Sequence, residues 1–217
     1  MLKVLGAAVL AIAMSFPTPA SGTEQIPDRI RIDGADHALN TNPLESEIAR
    51  QGWKLPEGVA VSTANWRGYT ASWEIVDDRL VLRDASILVP GDGSDDHASR
   101  SIVADLFPSA TAPLVARWYS GALIIPQGRI THHVHMGYGS SYERYRVIRV
   151  SSGDVIERLE LSGEEFQRYK ATKFEAFMKT DEFRQQLREL REEADGLTDE
   201  QILDFMMSYH AERYLSL

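Results

Sequence analysis

The 217-residue sequence contains no cysteine. Without cysteine a chain can form no disulfide framework, no cysteine-ligated zinc or iron–sulfur site and no thiol nucleophile. A lipid anchor on an N-terminal cysteine is excluded for the same reason. The fold must therefore be held together by its core and its hydrogen bonds.

Basic residues are also scarce relative to acidic ones. The chain has 23 Lys and Arg against 32 Asp and Glu, a net charge of −9. General affinity for nucleic acid depends on Lys and Arg that neutralise phosphates, so we expect no nucleic-acid partner. With 43% hydrophobic residues and only 15 Gly and 9 Pro, the composition is that of a globular domain with an ordinary core.

Long apolar runs are missing apart from a short one at the N-terminus. Lys3 precedes an uncharged, mainly apolar run from Val4 to Met14, and two prolines and small residues follow. A membrane-spanning helix needs about 20 apolar residues, whereas this order is typical of a cleaved secretory signal. We therefore predict a signal peptide over residues 1–22, cleaved after Gly22 or after Ala20. The alternative, a buried N-terminal helix, fits poorly with the prolines.

Cleavage would leave a single domain over residues 23–217 with a net charge of −10. This mature protein is expected to be soluble, without a transmembrane segment, and periplasmic or secreted. Residues 59–161 are predicted to form a β-rich core. Tyr69 to Ile75 alternate between apolar and polar residues, and the Asp77-Asp78 turn leads into a second strand from Arg79. Another strand, Val115 to Ile125, is expected to end at Pro126.

Helical spacing of apolar residues begins after the β-rich core. Ser162 and Thr198 each start a capping-box pattern, so helices are predicted across residues 162–217. A short helix nearer the N-terminus is predicted to begin with Asn42 as its N-cap and to end at Gly52. The predicted fold class is α+β, an antiparallel β-rich sheet or partly closed barrel with C-terminal helices packed against it.

Histidines cluster at Thr131-His132-His133-Val134-His135. In a strand, His133 and His135 project from the same side and could share a metal ion. His97 or Glu143 could supply a further ligand, but nothing local positions either. A solvated or hydrogen-bonded histidine run is the favoured interpretation, so no metal and no cofactor are predicted.

A glycine-containing turn follows the histidines. Met136-Gly137-Tyr138-Gly139-Ser140 has only two glycines and leads into another strand, so it does not match the dinucleotide-binding fingerprint. A tight turn that exposes Tyr138 is the better interpretation.

Aromatic and arginine residues alternate through the β-rich region and could bind a sugar, another small molecule or a protein. Trp73 and Trp118 lie in apolar alternation and are predicted to be core residues. The predicted contact surface consists of Trp66, Arg67, Tyr69, His135, Tyr138 and Glu143.

Several motifs in this region resemble an uncharacterised family of exported bacterial proteins. They are Asn65-Trp66-Arg67-Gly68-Tyr69 with Ala71 to Ile75, Leu106-Phe107-Pro108, Trp118 to Gly128, and Val134 to Glu143. The resemblance covers about residues 30–160. It implies no activity, cofactor or substrate.

The sequence thus leads to three functional hypotheses. The first is a non-enzymatic, exported binding or interaction module whose partner is a protein, a small molecule or a glycan. The second is a metal-assisted hydrolase, with His133 and His135 as ligands and Glu143 as base. The third is an envelope protein whose C-terminal helices, with 13 acidic and 8 basic residues, dock a partner.

Overall fold

The structure, a computed structural model, describes residues 23–91, 96–110, 113–193 and 196–217. The predicted signal peptide therefore lies outside the described residues. Within the described chain, no helix is both long enough and apolar enough to cross a membrane.

One mixed sheet contains all nine described strands. They are β1 (Asp28–Ile32), β2 (Ala35–Leu39), β3 (Tyr69–Val76), β4 (Arg79–Pro90), β5 (His97–Ser101), β6 (Leu114–Val115), β7 (Gly121–His132), β8 (Ser141–Ser151) and β9 (Asp154–Ser162). The order is β2-β1-β3-β4-β9-β8-β7, and β5 and β6 pair with β4. β1 and β3 are parallel, while the other pairings described are antiparallel.

The two ends of this sheet approach each other without closing it. The Asn40 N–H, just beyond β2, donates a 2.8 Å hydrogen bond to the Ile124 carbonyl in β7. β4 and β9, in the middle of the order, are themselves paired only through Arg79 and Asp154. The predicted α+β class is confirmed, and the architecture is an open, strongly curved sheet.

Local chemistry explains the hairpins. Asp77 and Asp78 both adopt positive φ angles, 48° and 56°, which aspartate tolerates better than most residues, and they connect β3 to β4. The predicted hairpin β3–β4 is therefore confirmed, and β8 and β9 form a second antiparallel hairpin. The predicted end of a strand at Pro126 is wrong: β7 continues through Pro126, opposite Tyr145. β7 is the last strand in the sheet order, and an edge strand tolerates a residue without an N–H.

Two hydrophobic cores share strands β7 and β8. Side chains alternate along β8, so Ile148 and Val150 face the first core, which contains Trp73 and most of β1, β3 and β4. Tyr145 and Val147 face the second core. Both faces of this part of the sheet are therefore covered.

The described chain has six helices. They are α1 (Glu45–Gln51), α2 (Val103–Leu106), α3 (Gly163–Phe177), α4 (Asp181–Glu193), α5 (Asp199–Tyr209) and α6 (Ala211–Tyr214). Phe174, Phe177, Phe183 and Tyr214 stack edge to face or tilted in the second core. These contacts place the C-terminal helices on the outer face of β7 and β8.

Two of the three predicted helix starts are confirmed. Ser162 and Thr198 accept hydrogen bonds from the N–H groups of Glu165 and Gln201, and both capping boxes are complete. Asn42 as N-cap is wrong, since α1 begins at Glu45 after Leu44. The Asn42 side chain is instead hydrogen bonded to another part of the chain, as described below.

Candidate functional site

A cleft of about 1160 Å³ opens where the N-terminal strands, two loops and the C-terminal helices meet. Its lining comes from the segment around Gln25, the connection from β2 to α1, the loop before β3, the loop between β7 and β8, and helices α3, α5 and α6. Segments distant in sequence thus converge here, as is typical of binding sites.

Gln25 ties three of these segments together. Its side-chain amide donates a 2.7 Å hydrogen bond to the Thr63 carbonyl and accepts one of 3.2 Å from the Trp66 N–H. Its backbone N–H donates to the Gly137 carbonyl at 2.9 Å. Gln25 therefore positions both loops of the cleft, one through its side chain and the other through its backbone N–H.

A buried ion pair lies under this part of the cleft. The Arg67 guanidinium donates to Asp28 at 3.1 Å, and the two side chains are 3% and 0% exposed. Asp28 also accepts hydrogen bonds from the Ala71 N–H and the Trp73 indole, at 3.0 and 3.1 Å. Burial acts to lower the pKa of Arg67, but Asp28, together with Tyr138 and Tyr69, acts in the opposite direction. The net pKa is raised, so the guanidinium stays charged.

Tyr138 extends this network into the cleft. Its hydroxyl accepts a 3.2 Å hydrogen bond from Arg67 and donates one of 3.0 Å to the Asn42 side-chain carbonyl. Gly137, with a φ of 55°, makes the turn that presents Tyr138, and a Cβ at this position would lie 3.2 Å from the Tyr209 ring. Burial raises the pKa of Tyr138 well above its ordinary value, so the hydroxyl is neutral near pH 7.

Helix α6 completes the network. A Glu212 carboxylate oxygen accepts a hydrogen bond from the Asn42 N–H at 3.1 Å. Burial raises the pKa of Glu212, and the charge of Glu45 acts in the same direction. We call the five residues Asp28, Asn42, Arg67, Tyr138 and Glu212 the polar network.

Two further titratable residues, Lys170 and His210, line the helical side of the cleft. Lys170 lies with its ammonium 5.8 Å from the Phe166 ring centroid, and burial lowers its pKa. The pKa of His210 is also lowered, first by burial and then by Arg213. Both groups therefore bind a proton less tightly than in water.

The rim of the cleft is apolar. Trp66 is 59% exposed, Met136 39% and Phe205 38%. Phe205 packs against Tyr209, with 5.1 Å between ring centroids. Exposed aromatic side chains around a polar floor are typical of sites for ligands with an apolar and a polar part.

The structure divides the predicted contact surface. Trp66, Arg67 and Tyr138 line the cleft together. Tyr69 is buried behind them, with the Arg67 guanidinium 4.9 Å from its ring centroid. Its ring therefore supports Arg67 from the core.

His135 and Glu143 lie outside the cleft lining. Glu143 is held by Arg129, whose guanidinium is 2.6 Å from the carboxylate, and the N–H and guanidinium of Arg129 lower the pKa of Glu143. His133 and His135 are adjacent, with ring centroids 4.3 Å apart, and His133 lies 3.3 Å from Glu24. In the portion of the chain that the structure covers, no three His, Cys, Asp or Glu residues are grouped to hold a metal ion.

Three members of the polar network were absent from the predicted surface. Asp28 lies in no motif, Asn42 matches a helix cap, and Glu212 is one of the 13 acidic residues of the predicted C-terminal helices. A half-buried glutamate near the C-terminus has no local signal, because its environment depends on a contact with a residue 170 positions earlier.

Both tryptophans predicted for the core are accounted for. Trp73 is fully buried in the first core. Trp118 packs against that core, stacked on Phe107 at 4.9 Å, and its indole donates to the Pro43 carbonyl at 3.0 Å.

Comparison with models of known protein families, with curated proteins and with solved structures gave no match. The resemblance to an exported bacterial family therefore stays a prediction.

Proposed function

We propose that this protein is a non-enzymatic binding protein that takes a small amphiphilic ligand into the cleft. The observation that carries the proposal is the juxtaposition of a polar network on the floor with exposed Trp66 and Met136 at the rim. Such a site binds an apolar group at the rim and orients polar groups at the floor.

The state of Arg67 and Tyr138 favours binding over proton transfer by these two groups. Arg67 is held by Asp28, and Tyr138 lies between Arg67 and Asn42. Because the pKa values of Arg67 and Tyr138 are raised, neither group changes its protonation near pH 7. General acid–base catalysis works best with a pKa near the working pH, which these two groups do not have.

A fragment screen tests the proposal. Small aromatic compounds would be titrated against the protein by isothermal calorimetry, first with the wild type and then with Trp66→Ala and Tyr138→Phe. The matched control is Ile156→Ala, since Ile156 is an equally exposed apolar residue on β9 away from the cleft lining. Melting temperatures would be recorded for every variant.

We expect fragments that bind the wild type to bind Trp66→Ala about tenfold more weakly. An aromatic anchor contributes about 1–2 kcal/mol to the free energy of binding, which corresponds to this loss. The control should bind as the wild type does. Equal affinity in Trp66→Ala and Ile156→Ala would contradict the proposal.

We also propose that the protein is exported and works in the periplasm or outside the cell. The support is the order of charge, apolar run and small residues over residues 1–22. Expression of the full chain in a bacterium, followed by N-terminal sequencing of the exported product, tests this. A first residue of Thr23 or Ser21 is expected, and an intact Met1 in the cytoplasm would contradict it.

A further inference from the structure

The charges of the cleft are unevenly matched. Asp28 neutralises Arg67, and Arg213 lies 3.9 Å from Glu182. Glu45 and Glu212 also line the cleft, yet no ion pair reaches either carboxylate among the described residues. The part of the cleft next to the polar network is therefore left with two unmatched acidic groups, while Lys170, on the helical side, lines the cleft without an ion pair in the described part of the chain.

Glu45 and Glu212 lie near the same two residues, Asn42 and Tyr138. Glu212 accepts a hydrogen bond from the Asn42 N–H, and the Glu45 N–H donates to the Asn42 carbonyl at 3.1 Å, so both residues are tied to Asn42. The charges of both also raise the pKa of Tyr138. Glu45 and Glu212 thus both lie close to the contact between Asn42 and Tyr138.

An independent observation indicates that this floor accommodates an occupant. Arg67 is almost completely buried, yet its Nε–H has no hydrogen-bond partner. Buried polar groups in folded proteins are almost always hydrogen bonded to protein, water or ligand, so the Arg67 N–H, in a side chain that lines the cleft, is expected to meet a hydrogen-bond acceptor.

Aromatic rings complement the two acids. Tyr119 and Tyr138 line the cleft near Glu212, whose charge acts on both hydroxyls, and Trp66 lies at the rim. Carboxylates combined with aromatic faces attract an organic cation and repel an anion, because the ring face and the carboxylate are both negative.

We propose that the ligand carries a primary ammonium group that binds between Glu212 and Glu45, with its apolar part against Trp66 and Met136. An ammonium has three donors, enough for both carboxylates and a neighbouring carbonyl. This inference rests on the proposed binding function and adds the chemical class of the ligand.

Three probes with the same ring and different charge test this. Phenethylammonium, 2-phenylethanol and 3-phenylpropionate would each be titrated against the full chain by isothermal calorimetry near pH 7. The variants are Glu212→Gln and Glu45→Gln, with Glu175→Gln as the matched control, because Glu175 is an exposed acid on α3 outside the cleft lining. Glu45 is itself exposed, so its variant keeps the test valid if Glu212→Gln folds poorly.

We expect phenethylammonium to bind about tenfold more tightly than either other probe, and each cleft variant to weaken it about tenfold, the loss typical of one charged hydrogen bond. The control should leave its affinity unchanged. Tighter binding of the alcohol or the carboxylate would overturn the ammonium inference while supporting the cleft as a binding site. Binding of none of the three, or unchanged affinity in both cleft variants, would also overturn it, whereas the binding function stands or falls on the fragment screen with Trp66→Ala.

Discussion

Asp28 shows how much of this molecule depends on a single side chain. Its carboxylate is completely buried and accepts hydrogen bonds from Arg67, from the Ala71 N–H and from the Trp73 indole. It therefore connects β1 to the loop before β3 and to the first core. Burial raises the pKa of this carboxyl above its ordinary value, although Arg67, the Ala71 N–H and the Trp73 indole all act to lower it.

Replacing Asp28 with Asn is expected to lower the free energy of unfolding by about 3–5 kcal/mol, because Arg67 would remain buried without its counter-charge. Urea unfolding near pH 7 measures this. The control is Asp36→Asn, which breaks an ion pair with Arg31 that is about half exposed on both sides and should cost less than about 1 kcal/mol. If both variants lost the same free energy of unfolding, the buried ion pair would contribute no more to stability than the exposed one.

Glu212 gives a pH-dependent prediction. Because burial raises its pKa in the folded state, the folded chain holds the proton more tightly than the unfolded chain does. As pH rises from below the unfolded pKa to above the folded one, ionisation of Glu212 costs the protein stability, and that cost is complete once the pH exceeds the folded pKa. The cost is absent when both states are protonated.

Glu212→Gln keeps an acceptor for the Asn42 N–H and cannot ionise. We expect this variant to melt about 2–4 °C above the wild type near pH 7, the shift that corresponds to roughly 1 kcal/mol, and the difference to vanish near pH 3. Melting followed by circular dichroism at both pH values provides the measurement. A difference that does not change with pH would show that the effect is one of packing.

At the scale of single elements, the junction between β9 and α3 is set by one capping box. Ser162 ends β9, accepts a hydrogen bond from the Glu165 N–H at 3.3 Å, and donates its own N–H to the Glu165 carboxylate at 2.8 Å. The box fixes where the sheet stops and the helices begin, and α3 carries Phe166 into the second core.

Ser162→Ala is expected to lower the free energy of unfolding by about 1 kcal/mol, since the N–H of Glu165 loses its acceptor. Ser99→Ala, on exposed β5, is the matched control and should stay within about 0.5 kcal/mol of the wild type. Both values come from urea unfolding. A loss no larger than that of the control would imply that α3 is held by its core contacts alone.

Elements of this kind could be predicted because their chemistry is local. The capping boxes and the Asp77-Asp78 turn depend on residues within three or four positions of each other. The parallel pairing of β1 with β3 depends on Asp28, which is hydrogen bonded to Arg67, 39 positions later. No periodicity in the sequence predicts the contact between Asp28 and Arg67.

The candidate site was only partly predictable for the same reason. Trp66, Arg67 and Tyr138 could be found because aromatic and arginine residues beside glycine turns are candidates for binding, and these three line the cleft. His135 and Glu143 have the same residue chemistry, but the strands carry them elsewhere. Asn42 matches the local pattern of a helix cap, but α1 begins after Leu44 and the Asn42 side chain is hydrogen bonded to Tyr138 instead.

At the scale of the whole molecule, the sheet itself links the two cores weakly where β4 meets β9. The stronger link is through β7 and β8, whose opposite faces supply both cores. If either core loses its packing, one face of β7 and β8 becomes exposed. The same two strands carry the other core, so that core is destabilised as well. The chain is therefore expected to unfold as one cooperative unit, although its helices and most of its sheet occupy different parts of the sequence.

Two spectroscopic signals distinguish the cores. Trp53, Trp73 and Trp118 belong to the first core or pack against it, so tryptophan fluorescence reports that core. The longer helices lie around the second core, so helical circular dichroism reports that one. Cooperative unfolding requires both signals to change at the same urea concentration.

Phe177→Ala, in the second core, is expected to cost about 3–5 kcal/mol and to shift both signals by the same amount, because the loss is transmitted through β7 and β8. Ile148→Ala, in the first core, should cost about 2–5 kcal/mol and shift both signals equally as well. If Phe177→Ala moved only the circular dichroism transition, the helices would unfold independently of the sheet. The cleft between them would then be able to open without global unfolding, and ligand binding would have to stabilise the helical signal more than the fluorescence signal.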